Sequence, residues 1–181
     1  LTADACRPLD ARRDGIVLGE ACSAIVLGRR RPAGRRAWRI QAGATGCETT
    51  SPTSNAADGL RIAAVIDEAL SRAGRSTGTV RAVKIDGTGS GPNDLAECAG
   101  LKRVFGAAMP PLTGLKPYLG HTLGACGTSE VVLLTAAADA GFVPATPGFE
   151  AQDPELGLSP LQRSLPWDGG SLLACFFGFG G

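Results

Sequence analysis

The sequence has few of the residues from which metal centres are built. Among its 181 residues there is one histidine, His121, and the six cysteines form neither a CxxC pair nor a cluster with it. A zinc site needs several Cys or His ligands at short spacing, so no metal is expected. Each cysteine lies among small or apolar neighbours, where a reduced thiol behaves as a small hydrophobic group. We therefore expect structural rather than catalytic cysteines.

The sequence also lacks an excess of charge of one sign and any long apolar run. Eighteen basic and seventeen acidic residues give a formal charge of +1, which favours neither nucleic acid nor an anionic membrane as partner. Apolar runs such as residues 131–134 fall far short of the roughly 20 residues that span a bilayer, and no signal peptide is recognised. A soluble, cytoplasmic protein without a membrane partner is expected. An apolar fraction of 44% suits one globular domain.

Apolar periodicity predicts strands and helices in alternation. Strands are expected over residues 15–27, 38–44, 81–85, 111–115 and 171–176. Helices are expected from the N-cap Asp58 to Gly74, over residues 93–104, and over residues 124–140. The first two strands would form a hairpin, and the last helix, apolar on all sides, would be buried in a larger core. This order predicts an α/β sheet with helices on both faces.

An arginine-rich stretch, residues 29–36, lies between the first two predicted strands. Its Pro and Gly indicate a turn, and a solvated turn is the simplest interpretation. Docking of an acidic carrier protein is a second interpretation, and the sequence leaves both open.

Four separated segments carry the motifs of one enzyme family, in that family's order and at about its spacing. They are RPLD with RDGIVLGE (residues 7–20), DGTGSGPNDLAE (86–97), KPYLGHTLGA (116–125) and FGFGG (177–181). In these motifs the chain resembles the C-terminal half of the β-ketoacyl-acyl-carrier-protein synthases, which are thiolase-like condensing enzymes.

The resemblance implies a fold and a division of the chain. The fold would be the layered α-β-α-β-α thiolase-like α/β fold, of which this chain is the C-terminal half, with a mixed sheet flanked by helices. Residues 1–45 would end the N-terminal half as a strand hairpin, and residues 46–181 would form the C-terminal domain, truncated at its end. The nucleophilic cysteine of the family would lie in the other half.

His121 can be assessed before the family is considered. A lone histidine is more often a surface or core residue than a catalytic one. Its neighbours Gly120 and Gly124, however, allow close backbone approach at the beginning of an apolar helix. The positive end of the helix dipole disfavours the imidazolium there, so a neutral imidazole that donates one hydrogen bond is expected.

The resemblance implies a role for such a donor. In the family an enolate, formed when a malonyl thioester loses carbon dioxide, attacks an acyl thioester, and two histidine N–H groups stabilise the charge on the thioester oxygen. His121 matches one of these histidines. By the same match Lys116 would orient the network around His121 through a carboxylate, with Glu97 as its partner.

Asp86 stands where the family has its other histidine. An ionised carboxylate cannot donate a hydrogen bond and would repel the enolate oxygen. Either Asp86 is held protonated by its surroundings, or the subunit is non-catalytic. Cys175, where the family usually has asparagine, also favours the second alternative.

The resemblance also implies a set of substrate-binding residues. Thr88 and Ser90 would bind the amide groups of the pantetheine arm, Thr50 would line the same tunnel, and Phe179 would act as a gate. A turn, a plain Ser/Thr/Pro loop and a core aromatic residue are the respective alternatives. No cofactor of the protein's own is implied, because phosphopantetheine enters on the carrier protein.

Three functions follow. The first is the C-terminal portion of a β-ketoacyl-ACP synthase that condenses malonyl-ACP with an acyl thioester, in fatty-acid or polyketide biosynthesis. The second is a non-catalytic partner subunit, like the chain-length factors that pair with active synthases. The implied partners are acyl carrier protein and a second ketosynthase-family subunit, in a homodimer or heterodimer. A stand-alone binding module is the third and least favoured, and the residue at the nucleophile position separates the first two.

Overall fold

A computed structural model describes residues 1–2, 4–30, 34 and 37–178. Its helices are α1 (Leu60–Arg72), α2 (Gly91–Phe105), α3 (Lys116–Leu119) and α4 (Cys126–Asp139). Its strands are β1 (Val80–Ile85), β2 (Leu112–Gly114), β3 (Phe142–Val143), β4 (Leu165–Pro166) and β5 (Ser171–Ala174). The alternation of strands and helices confirms the α/β class. None of the helices in this described part is long and apolar enough to cross a membrane.

The main sheet has three strands in the order β2-β1-β5, and both pairs are parallel. Strands β3 and β4 pair antiparallel in a separate two-stranded ribbon. The expected mixed sheet is therefore not seen as one sheet among the described residues. Because all three main strands run the same way, their carboxyl ends meet at one edge.

The central strand β1 separates two different environments. Side chains alternate along a strand, so Val83 and Ile85 face one side of the sheet while Lys84 faces the other. Val83 and Ile85 join the buried apolar cluster formed with α1 and α2. Lys84 is buried against α4, where it forms an ion pair with Glu130. Helices thus cover both faces, and the face towards α4 is charged.

Helix α1 begins one residue later than predicted. Gly59, with φ of 64°, is its N-cap, and Asp58 instead accepts a hydrogen bond from the Leu60 N–H at 3.0 Å. A Cβ atom on Gly59 would lie 2.2 Å from the backbone nitrogen of Gly100 in α2. The close approach of the two helices therefore requires glycine at this position.

The predicted N-terminal hairpin is wrong for this chain. Residues 16–28 and 37–45 form no strand, and the single bridge in them joins Leu18 to His121. Val26 is 97% exposed and Ile40 72% exposed. A strand needs a neighbour to accept and donate its backbone hydrogen bonds, and the described residues supply none beside these segments. The tip of the predicted turn, residues 31–33 and 35–36, lies outside the described residues.

Helix α4 is buried on one face only, whereas the sequence predicted burial on all sides. Its buried residues are Cys126, Ser129, Glu130, Leu134 and Ala138, spaced three and four apart. Val132, on another face, is 39% exposed. The chain therefore covers one side of this apolar helix.

Candidate active site

The candidate site lies at the carboxyl edge of the parallel sheet. Asp86 directly follows β1, Lys116 begins α3 after β2, and Cys175 directly follows β5. Since parallel strands bring their carboxyl ends together, three residues that are distant in the sequence become neighbours. Lys116 lies at the beginning of the short helix α3, directly after the strand predicted over residues 111–115.

Lys116 is completely buried and is held by two carboxylates. Its Nζ lies 2.8 Å from Asp86 Oδ1 and 3.2 Å from Glu130 Oε1, and it also donates to the Asp86 carbonyl at 2.5 Å. Burial alone would lower the pKa of Lys116, but the charges of Asp86 and Glu130 outweigh burial and raise it. Lys116 is therefore an ammonium ion at neutral pH.

Asp86 is thus paired with a cation. In addition to Lys116, the amide of Asn93 donates to Asp86 Oδ2 at 3.4 Å. Both carboxyl oxygens of Asp86 are therefore acceptors, Oδ1 of the ammonium group and Oδ2 of the amide. This geometry argues against the protonated Asp86 that the sequence left open.

Glu97 does not contact Lys116, so its expected role as the lysine's partner is wrong. Its two carboxyl oxygens accept the backbone N–H groups of Asp86 and Gly87, at 2.7 and 2.9 Å. Burial and the charge of Asp86 raise the pKa of Glu97 to about 8. Glu97 shapes the turn after β1, because α2 carries it under that turn.

The carboxylate that sequence reasoning missed is Glu130. It lies on α4, on the opposite side of the sheet from α2, and is 1% exposed. The signal was present in the sequence as an acidic residue inside an otherwise apolar helix, a position at which an unpaired charge is costly.

His121 is fixed by its backbone and by its ring. Its N–H donates to Val17 O at 2.7 Å and its carbonyl accepts from Gly19 N–H at 3.1 Å. The ring nitrogen Nδ1 accepts from Leu123 N–H at 3.1 Å, and Cys126 Sγ lies 3.2 Å from the same atom. Because Nδ1 is an acceptor, we assign the proton to Nε2.

The protonation state of His121 follows from its surroundings. Burial and the nearby charge of Lys116 lower the pKa of the ring below its ordinary value. The imidazole is therefore neutral at neutral pH, and its Nε2–H is available as a donor. This agrees with the neutral histidine expected at this position.

The glycine loop after β1 is tied to the first sequence motif by Asp94. This buried carboxylate accepts the N–H groups of Leu9 at 2.9 Å and Gly89 at 3.2 Å, and Arg13 lies 3.9 Å away. Burial raises the pKa of Asp94 to about 6. Residues 7–20 and 86–97 thus form one unit around this side chain.

The predicted substrate-binding residues are placed as follows. The hydroxyl groups of Thr88 and Ser90 are 2.9 Å apart and hydrogen-bond each other. Thr50 lies on an exposed loop, where its hydroxyl donates to Glu48 at 2.9 Å. Phe179 lies outside the described residues. Their part in substrate binding stays a prediction.

Comparison with known proteins identifies this arrangement. Residues 39–150 match the family model of the β-ketoacyl synthase C-terminal domain. The chain belongs to the β-ketoacyl synthase family. The resemblance found in the motifs is therefore confirmed, and the α/β architecture is that of a ketosynthase with the thiolase-like fold.

Its relatives include polyketide enzymes. The chain is 36% identical to the tetracenomycin polyketide synthase ketoacyl synthase alpha subunit of Streptomyces glaucescens, over 86% of this chain and 38% of the relative. Among solved structures, an AntDE:AntF complex, a type II polyketide-synthase acyl-carrier protein with its ketosynthase bound to the hexaketide, superposes with a TM-score of 0.83 and 26% identity. That match covers 100% of this chain and 47% of the other.

A second structure, the ishigamide ketosynthase/chain length factor, superposes with a TM-score of 0.71 and 29% identity. It covers 93% of this chain and 42% of the other. The chain therefore spans less than half the length of these three matches.

Proposed function

We propose that the full-length protein is a β-ketoacyl-ACP synthase that condenses malonyl-ACP with an acyl thioester, with loss of carbon dioxide, in polyketide or fatty-acid biosynthesis. The observation that carries this proposal is the neutral His121. Its Nδ1 accepts the Leu123 N–H, so that Nε2–H is left to donate at the carboxyl edge of the sheet. A preorganised donor of this kind stabilises an oxygen on which negative charge develops.

In the proposed reaction one electron pair passes from a carbon–carbon bond that breaks to a carbon–carbon bond that forms. The bond between the malonyl α-carbon and its carboxylate breaks and releases carbon dioxide. The electron pair left behind forms the new carbon–carbon bond to the acyl carbonyl, and the nucleophile's thiolate leaves. During decarboxylation the charge resides on the malonyl thioester oxygen, where His121 Nε2–H donates. Lys116 acts through its ion pairs with Asp86 and Glu130, which set the charge around this oxygen.

A second function is favoured by a specific observation. The carboxylate of Asp86 is paired with Lys116 at 2.8 Å, so the position that supplies the second histidine in the family holds no donor. A subunit of this kind suits a non-catalytic partner that pairs with an active ketosynthase. The ishigamide structure contains such a pair, a ketosynthase and a chain length factor.

The partners and substrate contacts are part of the proposal. An acyl carrier protein would deliver the substrates on its phosphopantetheine arm, so the protein needs no cofactor of its own. Thr88, Ser90, Thr50 and Phe179 are the proposed contacts of that arm and of the acyl chain. A homodimer or a heterodimer with a second ketosynthase-family subunit, located in the cytoplasm, completes the proposal.

The test uses the full-length protein with malonyl-ACP and an acyl-ACP, and product formation is followed by mass spectrometry. We expect condensation in the wild-type protein. His121→Ala should lower its rate by about 10²–10³, the usual cost of one donor to a developing oxyanion. Val132→Ala, a truncation at a partly exposed position of α4, is the matched control and should retain the wild-type rate.

The same assay separates the two functions. A synthase condenses alone, whereas a non-catalytic partner yields product only after an active ketosynthase is added and changes the length of that product. Wild-type condensation that His121→Ala leaves unchanged would contradict the role given to this histidine.

A further inference from the structure

Lys84 is a buried cation that the proposed reaction does not use. It is the last but one residue of β1, has no exposed surface, and lies two residues before Asp86. A lysine buried to this degree is rare and requires partners for its charge. Its surroundings show what those partners are.

The Lys84 ammonium has three donors and three partners. Its Nζ donates to the Cys175 carbonyl at 2.7 Å, forms an ion pair with Glu130 Oε2, and lies 3.7 Å from the centre of the Phe176 ring. A neutral amine has only two donors, so the set of three matches the charged form. Burial lowers the pKa of Lys84 below its ordinary value, although the Glu130 carboxylate acts in the opposite direction.

Glu130 links Lys84 to the site. One of its oxygens contacts Lys84 and the other lies 3.2 Å from Lys116, which in turn pairs with Asp86 at 2.8 Å. The four residues form a buried chain of alternating sign, from Lys84 through Glu130 and Lys116 to Asp86. Two positive and two negative charges cancel. We call this set the four-residue charge chain.

We propose that Lys84 is the charge partner of Asp86: its ammonium balances the carboxylate that occupies the family's histidine position, and it acts on the site through Glu130 and Lys116. Removing the charge at one end leaves a net charge on the four-residue charge chain. Without the Asp86 charge, two ammonium groups share Glu130, and without the Lys84 charge, two carboxylates share Lys116. An uncompensated buried charge is strongly destabilising. Removing both end charges leaves one balanced pair.

The test is a double-mutant cycle in the full-length protein, with Asp86→Asn, Lys84→Met and the double variant followed by thermal unfolding. The cycle is run at pH 6, below the pKa of about 8 of the neighbouring Glu97. Glu97 is then neutral and does not supply a negative charge in place of the one removed from Asp86. Lys102→Met, at an exposed position of α2, is the matched control for loss of a lysine. Stability does not depend on condensation, so this test is independent of the proposed function.

We expect each single variant to unfold several degrees below the wild type. The double variant should unfold at least about 2 °C above the temperature expected if the two losses were additive. Lys102→Met should leave the transition unchanged. If a single variant cannot be recovered folded, recovery of the folded double variant shows the same rescue. Additive losses, or a double variant that alone fails to fold, would overturn the proposal.

A second readout separates charge from packing. Asp86→His places an imidazole at one end of the four-residue charge chain. The pKa of this imidazole can be measured by nuclear magnetic resonance with and without Lys84→Met. We expect a higher pKa when Lys84 is replaced, because a nearby positive charge disfavours the imidazolium. An unchanged pKa would mean that Lys84 only fills space.

Discussion

At the scale of single residues, the site is defined by which groups can donate a hydrogen bond. His121 presents a neutral ring whose Nδ1 is already an acceptor, so its Nε2–H is directed by the backbone of Leu123. Asp86, bound to Lys116, presents only acceptors. One donor is therefore available where the ketosynthase family usually has two.

The substitution Asp86→His tests this difference directly. A histidine adds a donor and removes a negative charge from beside the thioester oxygen, and both changes favour decarboxylation. In full-length protein with its nucleophile, malonyl-ACP decarboxylation per folded molecule should rise by about 10²–10³, as measured by release of labelled carbon dioxide. Asp86→Asn, which removes the charge but provides only an amide, serves as the control. Brisk wild-type decarboxylation that Asp86→His does not increase would refute the argument.

At the scale of elements, the two glycines that flank α1 differ in how closely they approach α2. Gly59 and Gly74 flank α1 and share a left-handed backbone, with φ of 64° and 61°. A Cβ atom on Gly59 would meet Gly100 N at 2.2 Å, whereas one on Gly74 would meet nothing within 4 Å. The pair therefore separates backbone strain from a steric clash.

We predict that Gly74→Ala costs about 1–2 kcal/mol of unfolding free energy, the cost of a left-handed conformation with a side chain. Gly59→Ala should cost at least about 1 kcal/mol more, because α1 must also move away from α2. Denaturant unfolding of the full-length protein measures both values. Equal losses would mean that the contact with Gly100 relaxes without cost.

At the scale of the whole molecule, the chain spans less than half the length of the relatives and solved structures it matches. The curated relatives are more than twice its length, since it covers 38% to 44% of them. The apolar side chains of residues 25–27 and Ile40 are exposed in the structure described here. Catalysis in the family requires a cysteine nucleophile, and three of the six cysteines here, Cys6, Cys98 and Cys175, are buried thiols with raised pKa values.

We predict that none of these six cysteines becomes acylated when full-length protein is incubated with an acyl-ACP at neutral pH. Burial and the charge of Asp94 raise the pKa of Cys6 to about 12, and burial and the charge of Glu97 also raise the pKa values of Cys98 and Cys175. A buried thiol is not a nucleophile without its thiolate. Peptide mapping by mass spectrometry is the measurement, with alkylation of the exposed Cys22 as the control for coverage. Stoichiometric acylation of any one of the six would contradict the prediction.

Much of the fold was predictable because the relevant signals are local. The helices α1 and α2 and the strands β1, β2 and β5 lie close to their predicted positions, since apolar spacing and glycine boundaries act over a few residues. The N-terminal hairpin was not predictable in the same way. Alternating apolar residues favour extended backbone, but a strand also needs a partner, and the partner is a matter of tertiary structure.

The site shows the same division. The sequence by itself determined the family, through four motifs. It also predicted a neutral His121 from its place before an apolar helix, but in the structure burial and the charge of Lys116 are what lower the pKa of the ring. Only the tertiary structure decided which carboxylates hold Lys116. Glu97 matched the family and lies within a motif, yet it binds the backbone of the turn, while Glu130 reaches Lys116 from α4.

The physical reason is that charge pairing is set by distance in space. Lys84 and Asp86 come from β1 and its carboxyl end, Lys116 from the short helix α3 and Glu130 from the longer helix α4, and only the folded chain brings the four together. Sequence motifs identify which residues carry chemistry. The contacts of Asp86, and with them the number of donors in the site, depend on neighbours that only the folded chain brings within hydrogen-bond distance.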